Sequence, residues 1–430
     1  GETVDDMIWF RCFLAFCILF NFPIPVIYNS TVLAVLCTLV YYTFAPNYFL
    51  TLFYLVKQRL VIYIFLGLIS VMAVSCLPGL IHGTADFYIV RGFALQFTLL
   101  IGGIIVYPIL MDGAGEALFS RIVDLIIGCF AIQSIIEIVA FVIPPFADVV
   151  HLFQKEEVAE IGVGFRALAL SGNPFFDLAA GFGLCYLLFF YRLVKDHEGK
   201  ISLTQTALFT ILVIGTFFAG RTGFIGLLLA AFYYFVVMGQ PIYLKVLRLL
   251  TIFFLIGVTG LVIYFILPFE IRALVTDTLL PFAFEFLYSY FDEGTLSTVS
   301  TDMLSDMYFA IDWHTFIFGD GKYVNPDGSY YQHTDAGYMR NILFYGIFGT
   351  LILFSYHFLF FNRPFRISLS ELMEHRTMRS FNDLLFWLLL LAYTLILHYK
   401  GEVVGFLMIT QVMLFWLSLA YCKVFLKRAS

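Results

Sequence analysis

Leu60-Val-Ile-Tyr-Ile-Phe-Leu-Gly-Leu-Ile-Ser-Val-Met-Ala-Val-Ser-Cys-Leu-Pro-Gly-Leu-Ile-His82 decides the fold. It holds no Asp, Glu, Lys or Arg, and only Ser70 and Ser75 interrupt its apolar residues before His82. A helix needs about 20 such residues to cross the hydrocarbon of a bilayer. Runs of this kind recur along the chain, near 8–26, 31–52, 60–82, 89–111, 119–144, 174–192, 203–219, 222–239, 247–268, 341–361, 382–398 and 403–422. Barrel strands alternate apolar and polar residues, and these runs do not, so a closed barrel is excluded. The expectation is an all-α polytopic membrane protein with about 12 transmembrane helices.

Composition agrees. The chain is 61% hydrophobic and 13% charged, whereas a soluble domain carries about 25% charged residues. Surface-to-volume scaling leaves no soluble core large enough for that excess. The 52 Phe and 26 Tyr suit a lipid-facing surface with interfacial aromatics. A net charge of −6 offers no basic footprint for nucleic acid. The seven cysteines all lie in apolar runs and form no CxxC pair, which argues against a disulfide framework or a thiolate metal site. The run from Ile8 to Phe20 follows acidic residues and precedes no small-residue cleavage site, so it reads as a retained first span.

Lys and Arg accumulate on the cytoplasmic side of membrane proteins. Placing the tail with Lys423, Lys427 and Arg428 inside puts fifteen basic residues inside and eight outside. The eight are Arg91, Lys155, Arg166, Arg221, Arg272, Lys322, Arg340 and Lys400. Both termini are then cytoplasmic. Residues 1–268 hold nine spans and an external loop near 145–173, residues 269–340 form a long external loop, and residues 341–430 hold three spans and a tail. The long loop is rich in aromatics and has two amphipathic stretches, Glu270 to Phe291 and Thr301 to Ile317.

The external arginines mark candidate chemistry, because a guanidinium fork grips phosphate oxygens in pairs. Arg221 sits in Phe218-Ala-Gly-Arg-Thr-Gly-Phe224, in a short turn between spans. Its rival reading is a side chain snorkelling to lipid headgroups. Arg166 opens Arg166-Ala-Leu-Ala-Leu-Ser-Gly-Asn-Pro174, where Asn173 suits an N-cap with Pro174 in the first turn. A helix start there would favour an anion, or would be an ordinary loop-to-helix junction.

A third cluster ends the long loop. It comprises Gly319-Asp-Gly-Lys-Tyr323, Tyr330-Tyr-Gln-His-Thr-Asp-Ala-Gly-Tyr-Met-Arg-Asn341 and Gly346-Ile-Phe-Gly349. His333 can take a proton from a hydroxyl, and Asp335 could orient it or act instead. Glu137, mid-span, should face the bundle, as a proton-relay group or as the partner of a buried arginine. Lys400-Gly-Glu402 reads as a tight external turn with a local ion pair worth little. Asp302, Asp306 and Asp312 read as solvated acids at helical spacing rather than a metal site. No phosphate-binding glycine loop, His/Cys metal spacing or nucleophile elbow occurs.

An Arg before a Gly-Asn-Pro turn, then Gly-Arg-Thr-Gly at a span boundary, then a long loop ending in His-x-Asp-x-Gly-Tyr and Gly-Ile-x-Gly, resembles the superfamily of O-antigen polymerases and O-antigen ligases. The resemblance covers about residues 60–420. It implies a GT-C-like membrane glycosyltransferase in the bacterial inner membrane, with no metal or other cofactor and an active site facing the periplasm. Donor and acceptor would be undecaprenyl-diphosphate-linked oligosaccharides, and a chain-length regulator and a flippase are candidate partners. Arg221 would bind diphosphate with Arg166 as companion. Asn173, Arg272, Tyr338 and Arg340 would be further substrate-binding candidates, and His333 or Asp335 would deprotonate the acceptor hydroxyl. Ligases typically carry His-Asn before the helix that follows the loop. Here that place reads His333-Thr-Asp335, closer to the polymerases. The alternatives are a ligase acting on lipid A-core and a flippase or transporter for lipid-linked oligosaccharide.

Overall fold

The structure, a computed structural model, describes residues 3–155, 158, 167–197, 202–285, 289–291 and 299–422. Arg166 and the basic tail residues Lys423, Lys427 and Arg428 lie outside the described residues. The chain is a membrane protein built from helices. Seven among the described residues are long and apolar enough to cross a bilayer.

Helices α1 (Thr3–Phe20), α2 (Ser30–Phe44), α3 (Asn47–Val56), α4 (Arg59–Ile81) and α5 (Tyr88–Met111) open the chain. After α6 (Leu118–Val142) and α7 (Pro144–His151) come α8 (Phe176–His197), α9 (Leu203–Ala219), α10 (Gly223–Val237) and α11 (Ile242–Ile266). Short helices α12 (Phe269–Leu274), α13 (Leu280–Ala283), α14 (Val299–Asp306) and α15 (Trp313–Phe318) occupy the long connection. The chain closes with α16 (Gly337–His375), α17 (Met378–Lys400) and α18 (Met408–Tyr421).

The chain forms two compact units. The first is Gly1–Asn21, Val26–Ile126 and Leu304–Ser430, and the second is Phe22–Pro25 and Ile127–Met303. In the first unit α16 packs on α4 and α17, and α18 packs on α5. The indole Nε1 of Trp416 donates to the Gly103 carbonyl at 3.1 Å across that last contact. Every α18 residue from Met408 to Ala420 is buried. In the second unit α8 and α10 approach so closely that a Cβ on Gly226 would collide with the Gly183 backbone. Small residues serve this purpose between membrane helices, where dispersion replaces the hydrophobic effect.

Four expectations change. The run 31–52 is two helices, because Pro46 lacks an amide to continue α2 and constrains Ala45 before it. The stretch from Glu270 to Phe291 is not one amphipathic helix: a π-turn over Val275–Leu279 separates α12 from α13, and Pro281 lies in the first turn of α13. The stretch from Thr301 to Ile317 also breaks. Asp312 accepts the Thr315 amide at 2.8 Å and starts α15 afresh, so it is a helix cap rather than a merely solvated acid. The α16 span runs 39 residues instead of ending near 361, and Gly346 kinks it at φ 68°.

Candidate anion site at the end of the long loop

The site begins with a turn. Asn325-Pro-Asp-Gly-Ser329 carries the residues that reverse a chain. The Asn325 amide donates to the Ser329 carbonyl at 2.8 Å, and Gly328 takes φ 83°. Asp327 accepts from both the hydroxyl and the amide of Ser329, which hold its carboxyl below the usual range. Val324 and Tyr330 pair antiparallel across this hairpin, and the Tyr331 amide donates to the Tyr323 carbonyl at 3.1 Å. Asp86, just before α5, accepts the amides of Tyr323 at 2.6 Å and Val324 at 2.9 Å. Tyr88 stacks on Tyr323 with centroids 5.4 Å apart.

Glycines let the preceding segment dock. A Cβ on Gly319 would lie 2.7 Å from the Gly346 amide, and one on Gly346 would strike the Ile317 carbonyl. The kink at Gly346 turns the Leu343 carbonyl outward to accept the Asp320 amide at 2.6 Å. Asp320 also accepts from Thr315 at 2.7 Å and from the Tyr331 hydroxyl at 3.2 Å. The Gly-Asp-Gly and Gly-Ile-Phe-Gly motifs are therefore contact surfaces that fix the hairpin against α16. Beside them, the end of α4, α15 and α16 enclose an apolar groove of about 470 Å³ lined in part by Pro78, Ile317, Phe318, Tyr345 and Ile352.

The hairpin delivers two tyrosines to Arg340, in the first turn of α16. The guanidinium carbon lies 3.6 Å from the Tyr330 ring centroid and 4.1 Å from that of Tyr323. Such contacts hold a cation over the ring faces, and Tyr330 also acts on Arg340 through a side-chain hydrogen bond. Arg340 is only 5% exposed. Its Nη1 faces Glu402 Oε2 at 3.5 Å, while Nε and Nη2 have no hydrogen-bond partner among the described residues. Nε and Nη2 form one edge of the guanidinium, the edge that grips two oxygens side by side. An unpaired buried donor costs about 1–3 kcal/mol, so this empty fork is a feature that asks for a ligand.

Glu402 is held from behind. The amides of Val403 and Val404 donate to His398 Nδ1 at 3.0 and 3.2 Å. That places the ring proton on Nε2, which donates to Asn341 Oδ1 at 2.8 Å. The Asn341 amide in turn donates to Glu402 Oε1 at 2.5 Å. Burial pushes the Glu402 carboxyl well above the usual glutamate range. Lys400-Gly-Glu402 is therefore not a local surface pair: Glu402 is 3% exposed and its ionic partner lies in another helix.

Of the residues that the sequence singled out, Asp335 and Arg340 come together: Asp335 is exposed and acts electrostatically on Arg340. His333 is exposed too, at φ 53°, and its electrostatic neighbour is Asp327. Tyr338 turns inward, donating to the Leu395 carbonyl at 2.9 Å and stacking on Phe354. In the second unit Arg221 pairs with Glu285 at 2.5 Å. Arg272 is partly buried in α12 with no hydrogen-bond partner for its Nε among the described residues. Asn173 is not an N-cap: α8 starts at Phe176, and the Asn173 amide donates to Asp177 at 3.4 Å. Glu137 is fully buried and neither carboxyl oxygen has a hydrogen-bond partner among the described residues.

Sequence reasoning passed over His398, and it quoted Tyr323, Tyr330, Asn341 and Glu402 without giving them a role at Arg340. Asn325-Pro-Asp-Gly was a readable turn signal, and Glu402 followed by Val403-Val404 was an acid too close to apolar residues to be cheap. No cluster of metal-binding side chains occurs among the described residues. Compared with known proteins, the chain matches no family model, no curated protein and no solved structure.

Proposed function

We propose that this chain is an O-antigen, or related surface-polysaccharide, polymerase. It transfers an undecaprenyl-diphosphate-linked glycan onto another lipid-linked repeat unit at the external face of the inner membrane. The observation that carries the reading is the buried, stacked Arg340 with an empty side-on fork. A diphosphate supplies oxygens at the right spacing for that fork. Leaving-group charge grows during transfer of the sugar, so a preplaced cation of this kind stabilises the transition state more than the ground state. The apolar groove beside α15 suits a polyprenyl chain.

On this reading the chain crosses the membrane twelve times. Seven long helices are joined by the shorter apolar helices α1, α2, α9, α10 and α18, with the ten-residue α3 continuing the run of α2. Asp335, exposed beside Arg340, accepts the proton of the attacking hydroxyl, and the carrier diphosphate departs from the anomeric carbon. The test is extension of a purified lipid-linked repeat unit by the purified chain. The reading expects a ladder of longer lipid-linked products. Transfer only to lipid A-core, or lipid movement without lengthening, would overturn it.

A further inference from the structure

The Arg340 site sets one guanidinium against one carboxyl group in a water-poor setting. Filling its fork with an oxyanion adds negative charge beside Glu402. Uncompensated charge is strongly disfavoured in a buried setting, so a proton must enter or the anion stays out. The neighbours decide where that proton goes. His398 from α17 cannot take it, because Nδ1 already accepts two amides and Nε2 already donates. Tyr323 and Tyr330 from the hairpin and Tyr88 from α5 are phenols, which lose protons rather than gain them. Arg91 from α5 and Arg340 are already cations. Asp86 uses its oxygens on the amides of Tyr88, Tyr323 and Val324. Asp335 is exposed to solvent. Glu402 Oε2 is buried, adjacent to the guanidinium, and has no hydrogen-bond donor among the described residues.

We infer that Glu402 is the proton-linked partner of the Arg340 anion site, taking up one proton from solvent as an oxyanion enters the fork. The inference rests on reading Arg340 as an oxyanion site. Glu402 acts through Arg340 and is a positioning residue. As a carboxylate it balances the empty site, and as a neutral carboxyl it frees the guanidinium for the ligand. Asn341 and His398 keep it facing Arg340 in both states. Release of the anion returns the proton to solvent.

The experiment titrates the purified full-length chain with sulfate, whose own charge is constant across the neutral range, by calorimetry in two buffers of different ionisation heat. Wild type should bind more weakly as pH rises, by up to about tenfold per pH unit, and the two buffers should report one proton taken up at alkaline pH. Glu402→Gln should bind with no pH slope and no proton uptake. Wild-type binding without slope or uptake overturns the inference, as does a slope that survives in Glu402→Gln. Should that variant fail to fold, the two-buffer measurement on wild type decides alone. Proton-linked sulfate binding in a chain that extends no glycan defeats only the polymerase reading. Glycan extension with pH-independent sulfate binding defeats only the inference.

Discussion

Arg11 and Arg340 are both buried arginines in the first unit, and their surroundings differ in kind. Arg11 donates from Nε to the Ile109 carbonyl and from Nη2 to the Asp112 carbonyl, each at 3.0 Å. Those atoms belong to the C-terminal end of α5, where unpaired carbonyls and the helix dipole favour a cation. Arg121 joins it there, with Nη2 donating to the Gly113 carbonyl at 3.3 Å. The same fork that Arg340 leaves empty is filled in Arg11 by the protein itself. A membrane arginine is thus explained by its polar neighbours, and Arg340 has too few of them.

The partners sharpen the contrast. The Asp112 side chain opposite Arg11 is 51% exposed, and that of Glu402 opposite Arg340 is 1% exposed. Glu402→Ala should therefore cost about 3–5 kcal/mol of stability by stranding a buried cation. Asp112→Ala should cost under about 1 kcal/mol, as a solvent-screened pair does. Thermal unfolding of both variants in detergent checks this, and equal losses would break the distinction. Next in size, Arg340→Lys keeps the charge but removes the fork. It should lower glycan transfer by about 10²–10³-fold, the usual loss for a preplaced charge donor, with the unfolding temperature near wild type. Arg11→Met should do the reverse. It strands carbonyls at a cost of about 1–3 kcal/mol and leaves transfer per folded molecule unchanged.

A smaller effect follows from pH. Glu402 is held above its ordinary value near 4.5, so the folded chain binds more protons than the unfolded chain over that interval. Stability should therefore fall as pH rises from the ordinary value through the raised one. Glu402→Gln should flatten that slope in melts taken across pH, and an unchanged slope would assign it to another group.

Much of the fold was legible because hydrophobic runs report spans directly. All seven long spans overlap runs visible in the sequence. Pro46 also announced the break that a window of hydropathy smoothed over. The site was half legible. Arg340 stood out as a basic residue on the side of the chain with few of them, and the loop motifs around it were visible as glycines and tyrosines. Glu402 was hidden because Lys400 two residues earlier offered a plausible local partner, and its true partner lies 62 positions away. His398 and Asn341 were hidden because each is unremarkable until the chain folds them onto one another. Local patterning encodes which segments enter the membrane. Which charges meet there depends on long-range packing that no period in the sequence records.

The central claim is that Arg340 keeps its fork open for an oxyanion. The most direct measurement is calorimetric titration of inorganic pyrophosphate into the wild-type chain, Arg340→Lys and Arg11→Met at one pH. Saturable binding is expected for wild type and for Arg11→Met, and its loss in Arg340→Lys. Equal binding by all three, or loss only in Arg11→Met, would contradict it.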